Sequence, residues 1–222
     1  MPQVLITGAN RGIGLEFARQ YAADGWEVIA TAREPATADE LNALGVRVEQ
    51  LELRDLDAVT GFAGRIEGPL DLLIANAGTW IPETSETAED GRLWAEMMVA
   101  NCIAPCLLAK ALRPKTRAPG GKVVALSSGM GSIAETDTPG YIPYRTSKAA
   151  LNMAMRALAV EFRADGIVTA ALDPGWVKTR MGGPNAPLQP DESVGPMREL
   201  IERLGPKQSG RYLSRDGSTL AW

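Results

Sequence analysis

The sequence predicts one α/β domain, doubly wound around a mostly parallel seven-stranded sheet. Short, continuously apolar runs alternate with segments of helical period along the whole chain, and strands buried on both faces are what such runs build. Helical stretches of ten or more residues separate them, long enough for the crossovers that parallel strands need. No repeat, low-complexity tract or linker interrupts the 222 residues, so residues 1–222 are read as a single domain.

The elements follow in order. Gln3–Ile6 is β-rich and reads as the first strand, and Gly12–Ala23 follows with Ile13, Phe17 and Tyr21 at helical spacing. Residues 27–31 form a second strand, 39–44 a short helix, 46–51 a third strand and 56–66 a third helix. Residues 70–75 make a fourth strand, 91–112 a long helical pattern containing Asn101, and 122–127 a fifth strand. Residues 144–163 are helical, with Leu151, Met155, Leu158 and Phe162 on one stripe that faces either the sheet or a partner. Residues 167–172 are the sixth strand, 192–204 the last helix and 211–213 a short seventh strand. Between them, 182–190 is rich in Gly and Pro and emerges beyond the carboxyl ends of the strands, where open α/β sheets bind ligands. Residues 182–205 therefore read as a substrate-side loop and helix, the loop being either a lid or a plain connection.

Composition removes several classes. There is no histidine, which excludes a Ser/His/Asp hydrolase, a His-ligated metal site and a His general base. Cys102 and Cys106, the only cysteines, are too few for structural zinc and read as small buried apolar side chains. A formal net charge of −4 without any basic run argues against nucleic acid, whose phosphates reward clustered Lys and Arg. No stretch is expected to reach the roughly twenty apolar residues of a membrane span. The glycine loop lies directly behind the first strand, so trimming a leader would remove it, and the expected location is cytoplasmic. Proton transfer must rest on Tyr, Lys, Asp or Glu.

That loop, Thr7-Gly8-Ala9-Asn10-Arg11-Gly12-Ile13-Gly14, joins the first strand to the first helix. Gly8 permits a tight turn, Gly12 lets backbone approach a pyrophosphate, and Gly14 allows close packing of helix on strand. The helix N-terminus presents free N–H groups to phosphate oxygens. Glycine is common in loops, but this strand–loop–helix setting marks a dinucleotide site of Rossmann type. At the end of the second strand, where an acid would bond both ribose hydroxyls of NAD, stands Arg33, with Arg11 nearby on the loop. Two guanidiniums suit a ribose 2′-phosphate. NADP(H) is the expected cofactor, with NAD(H) the weaker alternative because Glu34 adjoins Arg33.

Tyr144 and Lys148 lie four apart, on one helix face. A free tyrosine, with a pKa near 10, is a poor acid–base catalyst at neutral pH, and a nearby ammonium stabilises its phenolate. Alone the pair is a common surface motif. Its weight comes from the dinucleotide loop and from Ser127-Ser128, which close the fifth strand. Strand alternation sends these serines to opposite faces, and Ser128 is expected to donate to a developing alkoxide. Tyr141 is a decoy, with Arg145 rather than a lysine four residues on. Trp80, Met130, Tyr141, Trp176 and Met181 either line an apolar substrate pocket or pack in loops.

Together these residues resemble the short-chain dehydrogenase/reductase family along nearly the whole chain. The loop matches its T-G-x-x-x-G-x-G, and Ala75-Asn76-Ala77-Gly78 its N-N-A-G with Ala replacing the first Asn. Asp173-Pro174-Gly175-Trp176-Val177-Lys178-Thr179 looks like its P-G-x-V-x-T segment. The run from Tyr144 to Asn152 and Ser209-Gly210-Arg211-Tyr212-Leu213 are similar to its C-factor-like branch, near carbonyl reductases. The resemblance implies hydride transfer between a nicotinamide and a carbonyl or alcohol substrate, carbonyl reduction foremost. It implies catalytic roles for Asn101, Ser128, Tyr144 and Lys148, with Asn101 helping to hold a relay water and Lys148 bonding the ribose. It places Asn76, Ala77 and Gly78 on the adenosine side, Glu52 and Leu53 at the adenine, and Pro174, Gly175, Val177 and Thr179 near the nicotinamide. It admits a homodimer through the long helices, and a signalling protein with incidental catalysis as the alternative function. Two departures stand out: Glu52 replaces an Asp, and the interval from Ser128 to Tyr144 is long, so the loop between them must bulge near the substrate.

Overall fold

In the computed structural model, which describes residues 1–81 and 86–222, each apolar run becomes a strand. These are β1 (Gln3–Ile6), β2 (Glu27–Ala32), β3 (Arg47–Gln50), β4 (Leu72–Ala75), β5 (Lys122–Leu126), β6 (Val168–Asp173) and β7 (Arg211–Ser214). They lie in the order β3-β2-β1-β4-β5-β6-β7. Every neighbouring pair is parallel, so the sheet is parallel throughout rather than mostly so. The helices are α1 (Gly12–Ala23), α2 (Asp39–Asn42), α3 (Leu56–Gly61), α4 (Ala88–Met98), α5 (Ala104–Leu112), α6 (Ile142–Glu161) and α7 (Pro190–Arg203).

Strand alternation divides the core into two layers. Val4 and Ile6 of β1 join Phe17 and Tyr21 of α1 and Val194 and Met197 of α7 on one face. Leu5 joins Leu108 and Leu112 of α5 and Leu151, Met155, Leu158 and Phe162 on the other. The stripe on α6 is thus spent on the sheet.

The long helical pattern begins earlier than its apolar period suggests. The Thr87 hydroxyl accepts from Asp90 N at 3.1 Å while the Asp90 carboxylate accepts from Thr87 N at 2.9 Å, a reciprocal cap. Between α4 and α5 the backbone widens into a π turn, Val99–Ile103. Pro105 has no N–H to give the carbonyl of Asn101 four residues back, which is where an α-helix must yield. Taken through, Ala88–Leu112 is 25 residues, and by length and composition apolar enough to cross a membrane, contrary to the sequence expectation. Half of its apolar window is buried inside the domain, as in a core helix.

Helix α7 buries Val194, Met197, Leu200 and Ile201 in the core, while Pro190 and Asp191 of its first turn line the crevice. Its last carbonyls are held by the Lys122 ammonium, which donates to Ile201 O at 2.6 Å and Glu202 O at 2.7 Å. A cation at a helix C-terminus satisfies carbonyls that have no intrahelical donor. Lys122→Met should therefore lower the unfolding free energy by about 1–3 kcal/mol, read from the urea midpoint. An unchanged midpoint would show that the cap contributes nothing.

Candidate active site

The strand order reverses between β1 and its two neighbours, and the crevice of a doubly wound sheet opens at such a point. Here it is a cleft of about 1310 Å³ at the carboxyl ends of the strands. The loop after β1 is stitched to the loop after β4. Asn76 Nδ2 donates to Thr7 O at 2.9 Å and Gly8 O at 3.1 Å, and Ala77 N donates to Thr7 Oγ1 at 3.0 Å. Gly8 sits at φ +64°, and a Cβ there would lie 2.8 Å from Ala77 Cβ. A Cβ on Gly14 would strike Asn76 Nδ2 and come within 2.6 Å of Gly8 O. Gly14 therefore packs α1 against the two loops rather than against the strand itself. Arg11 precedes α1 in extended conformation and makes no side-chain cap, so the first-turn N–H groups stay open to a ligand.

Most of the expected cofactor residues line this cleft. Gly8, Asn10, Arg11, Gly12, Ile13 and Gly14 form its floor. Arg33 follows β2, Glu52 and Leu53 follow β3, and Asn76, Ala77 and Gly78 follow β4. Pro174 and Thr179 reach it from beyond β6. Three expected residues stand behind the wall instead. Thr7 is buried with its hydroxyl on Ala77 N. Gly175 turns at φ +75° against Leu188, and Val177 is buried in a bridge to Leu188. They shape the wall without presenting atoms to it. Glu52 is already engaged, since its carboxylate accepts from Arg54 N at 3.0 Å while Arg54 also donates to Glu96 at 3.0 Å.

The catalytic candidates converge on α6. This helix starts from Tyr141 at φ 58°, an uncommon conformation for a residue with a side chain. One turn in, Tyr144 and Lys148 face the cleft, with the Lys148 Nζ 5.7 Å from the phenol ring centroid. Nζ donates to Leu126 O at 2.8 Å. Ser128 bonds the Tyr144 hydroxyl, whereas Ser127 donates to Asn152 Oδ1 at 2.5 Å. The choice between the two serines thus follows the alternation argument. Ser128 O accepts from Gly131 N at 2.8 Å and from the hydroxyl of Tyr212 on β7.

Both ends of the Asn101 amide are bonded within the fold. Its Oδ1 accepts from Thr79 N at 2.7 Å, and its Nδ2 donates to Thr79 O at 2.9 Å and Ser147 Oγ at 3.0 Å. Its amide is fully occupied in tying the Gly78–Thr79 turn to α6, and makes no bond to Lys148.

Burial dominates the electrostatics. It pushes the Tyr144 phenol up to about 12, against the Ser128 hydrogen bond that favours the phenolate, and Asp173 nearby adds to the rise. It pulls the Lys148 ammonium down to about 8, opposed by Cys102 and Asp173. In the chain alone, desolvation therefore outweighs the one hydrogen bond that favours the phenolate. Cys102 is held up at about 11 by burial, which fits a packing role. Three neighbours of the site escaped the sequence reading. Asp173 and Tyr212 stood inside quoted segments, but only the sheet brings β6 and β7 beside α6. Arg180 follows Thr179 in the cleft wall.

A doubly wound dinucleotide fold with a buried Tyr–Lys pair at the cleft defines a class of nucleotide-dependent oxidoreductases. Residues 2–189 match the family model of short chain dehydrogenases, and the chain belongs to that family of enzymes. It is 39% identical over 159 residues to the C-signal of Myxococcus xanthus, covering 70% of this chain and 94% of that protein. A solved NADPH-bound carbonyl reductase from chicken fatty liver superposes with a TM-score of 0.93 at 36% identity, over 100% of this chain and 99% of that one. The carbonyl reductase Sniffer of D. melanogaster gives 0.93 at 32% identity over the whole of both chains.

The stitched loops carry a direct test. Gly14→Ala should destabilise the protein by about 1–3 kcal/mol, the usual cost of overpacking, and weaken dinucleotide binding together with it. A variant that melts and binds like the parent would show that the crowding at Gly14 relaxes freely.

Proposed function

We propose that this protein reduces apolar carbonyl compounds with NADPH, Tyr144 supplying the proton. The observation that carries the reading is the Tyr144–Lys148 pair, its phenol bonded to Ser128, in the wall of a cleft that Arg11 and Arg33 also line. The residues fit a dinucleotide. Gly8, Gly12 and Gly14 leave backbone exposed where side chains would intrude, the α1 N-terminus is open to a diphosphate, and among the described residues neither arginine has a carboxylate on it. Arg11 and Arg33 would hold the 2′-phosphate, Thr179 the nicotinamide carboxamide and Lys148 the ribose. When bound, the nicotinamide supplies the hydride.

The chain's own groups then handle the oxygen. Ser128 donates to the carbonyl oxygen and sets its distance from the phenol. As negative charge grows on that oxygen, Tyr144 gives up its proton. A phenol raised by burial is in the protonated form this direction requires at neutral pH. Lys148 is charged below about 8 and stabilises the phenolate left behind. Trp80 and Met181 in the cleft wall, with Trp176 and Tyr141 exposed on the same end of the sheet, favour an apolar substrate. A second reading, that the chain's biological output is a signal, is favoured by the likeness to the Myxococcus C-signal. An intact Ser–Tyr–Lys set serves no purpose in binding alone, so the enzymatic reading stands first.

Tyr144→Phe should leave the NADPH dissociation constant within about twofold and cut turnover of an aldehyde and ketone panel by roughly 10²-fold or more. Undiminished turnover would end the assignment. Because Lys148 loses its charge as pH rises through about 8, kcat for reduction should fall on that limb, and Lys148→Met should abolish the limb along with most of the rate. Arg33→Ala should raise the dissociation constant for NADPH more than that for NADH, by roughly tenfold; equal effects would remove the 2′-phosphate role.

A further inference from the structure

We infer that Arg180 is a third phosphate ligand of the cofactor, carried by the loop beyond β6 rather than by the glycine loop or β2. The inference rests on the dinucleotide reading above and adds a residue that reading does not use. Arg11, Arg33 and Arg180 all face the same cleft. Its other charges are largely matched: Glu16 and Glu40 meet Arg19, and Glu52 and Glu96 meet Arg54. Among the described residues none of the three arginines forms an ion pair. Asp191, the acid of the cleft wall that also lacks one, lies in the first turn of α7, where a helix terminus favours it.

Like charges held together in a cleft destabilise each other unless an anion joins them. Burial, then the charge of Arg180, then that of Arg33 hold the Arg11 guanidinium below its ordinary value, so Arg180 is the stronger of its two charged neighbours. The backbone that carries Arg180 is fixed in place. Gly183 N donates to Thr179 O at 2.9 Å, Gly182 N to Thr179 Oγ1 at 3.1 Å, and Trp176 Nε1 to Gly182 O at 2.7 Å. This turn rests on the glycine loop itself, for a Cβ at Gly12 would lie 3.1 Å from Thr179 Cγ2. Arg180 thus stands beside the glycine loop, close enough to act on Arg11. Its guanidinium recognises phosphate oxygens, whether of the diphosphate or of the ribose 2′-phosphate.

The test is the dissociation constant of NADPH and of NADH, followed by nicotinamide fluorescence at low and high salt, for Arg180→Ala, Arg180→Lys and Arg33→Ala. Arg180 is exposed and its side chain makes no hydrogen bond among the described residues, so these variants keep the fold. Arg180→Ala should weaken NADPH about tenfold or more at low salt, with the difference shrinking as salt screens it. Arg180→Lys should recover part of the loss. An equal loss for NADH assigns Arg180 to the diphosphate, and a loss confined to NADPH assigns it to the 2′-phosphate. A change below twofold for both dinucleotides overturns the role of Arg180. If Arg33→Ala still weakens NADPH selectively, the cofactor reading survives that result; if it too has no effect, both fall.

Discussion

Two glycines without side chains let the loop after β1 lie against the loop after β4, and the rest of the site is built on that contact. Asn76 and Ala77 hold Thr7 and Gly8 by three hydrogen bonds, and the closeness these bonds require leaves no volume for a Cβ on Gly8 or Gly14. The consequence is geometric. The open N–H groups of α1 face the crevice at one fixed height, and every other wall residue is placed relative to them. The same approach brings Gly78 beside Asn101 and Lys148, where a Cβ would lie 3.2 Å from one and 3.7 Å from the other. Backbone economy at the phosphate end and at the proton-transfer end thus comes from one pair of loops.

Desolvation is the second organising force. It shifts Tyr144 and Lys148 in opposite directions, each toward its neutral form, and so widens the gap in acidity between them, to about 12 against about 8. Lys148 Nζ is anchored on a main-chain carbonyl of β5, not on a carboxylate. A carboxylate partner would have locked the ammonium in its charged form; a carbonyl leaves it free to titrate near neutrality.

Much of this was legible in the sequence because it is local. Strands follow from runs such as Val4, Leu5 and Ile6, α1 from its glycine loop, and the Tyr144–Lys148 pairing from helical spacing alone. That the two serines point apart was legible too, because alternation is a property of the strand; the choice of Ser128 rested also on the family pattern. What failed was long-range. Nothing local says that Asp173 and Tyr212, on different strands, meet at Ser128, or that Val177 and Gly175 support the wall from behind. The clamp that Asn101 forms depends on Thr79 and Ser147, which are distant in the chain. Pro105 is a local signal of the widened turn: its missing N–H announces a break in the helix at Asn101. How far burial shifts the phenol is a property of the assembled fold.

The hydroxyl of Tyr212 that grips the Ser128 carbonyl comes from the last strand of the sheet. Glycine loop, Asn76, Tyr144 and Lys148 all precede it, so a growing chain possesses its reactive groups well before it possesses the strut that aims one of them. Leu220 N returns to Tyr212 O, the Trp222 ring lies 5.7 Å from the Tyr212 ring, and Ala134 N reaches Trp222 O, so the final residues lock that strut in turn. The position of Ser128 beside the phenol is thereby tied, through one hydroxyl, to the packing of residues 220–222 against β7.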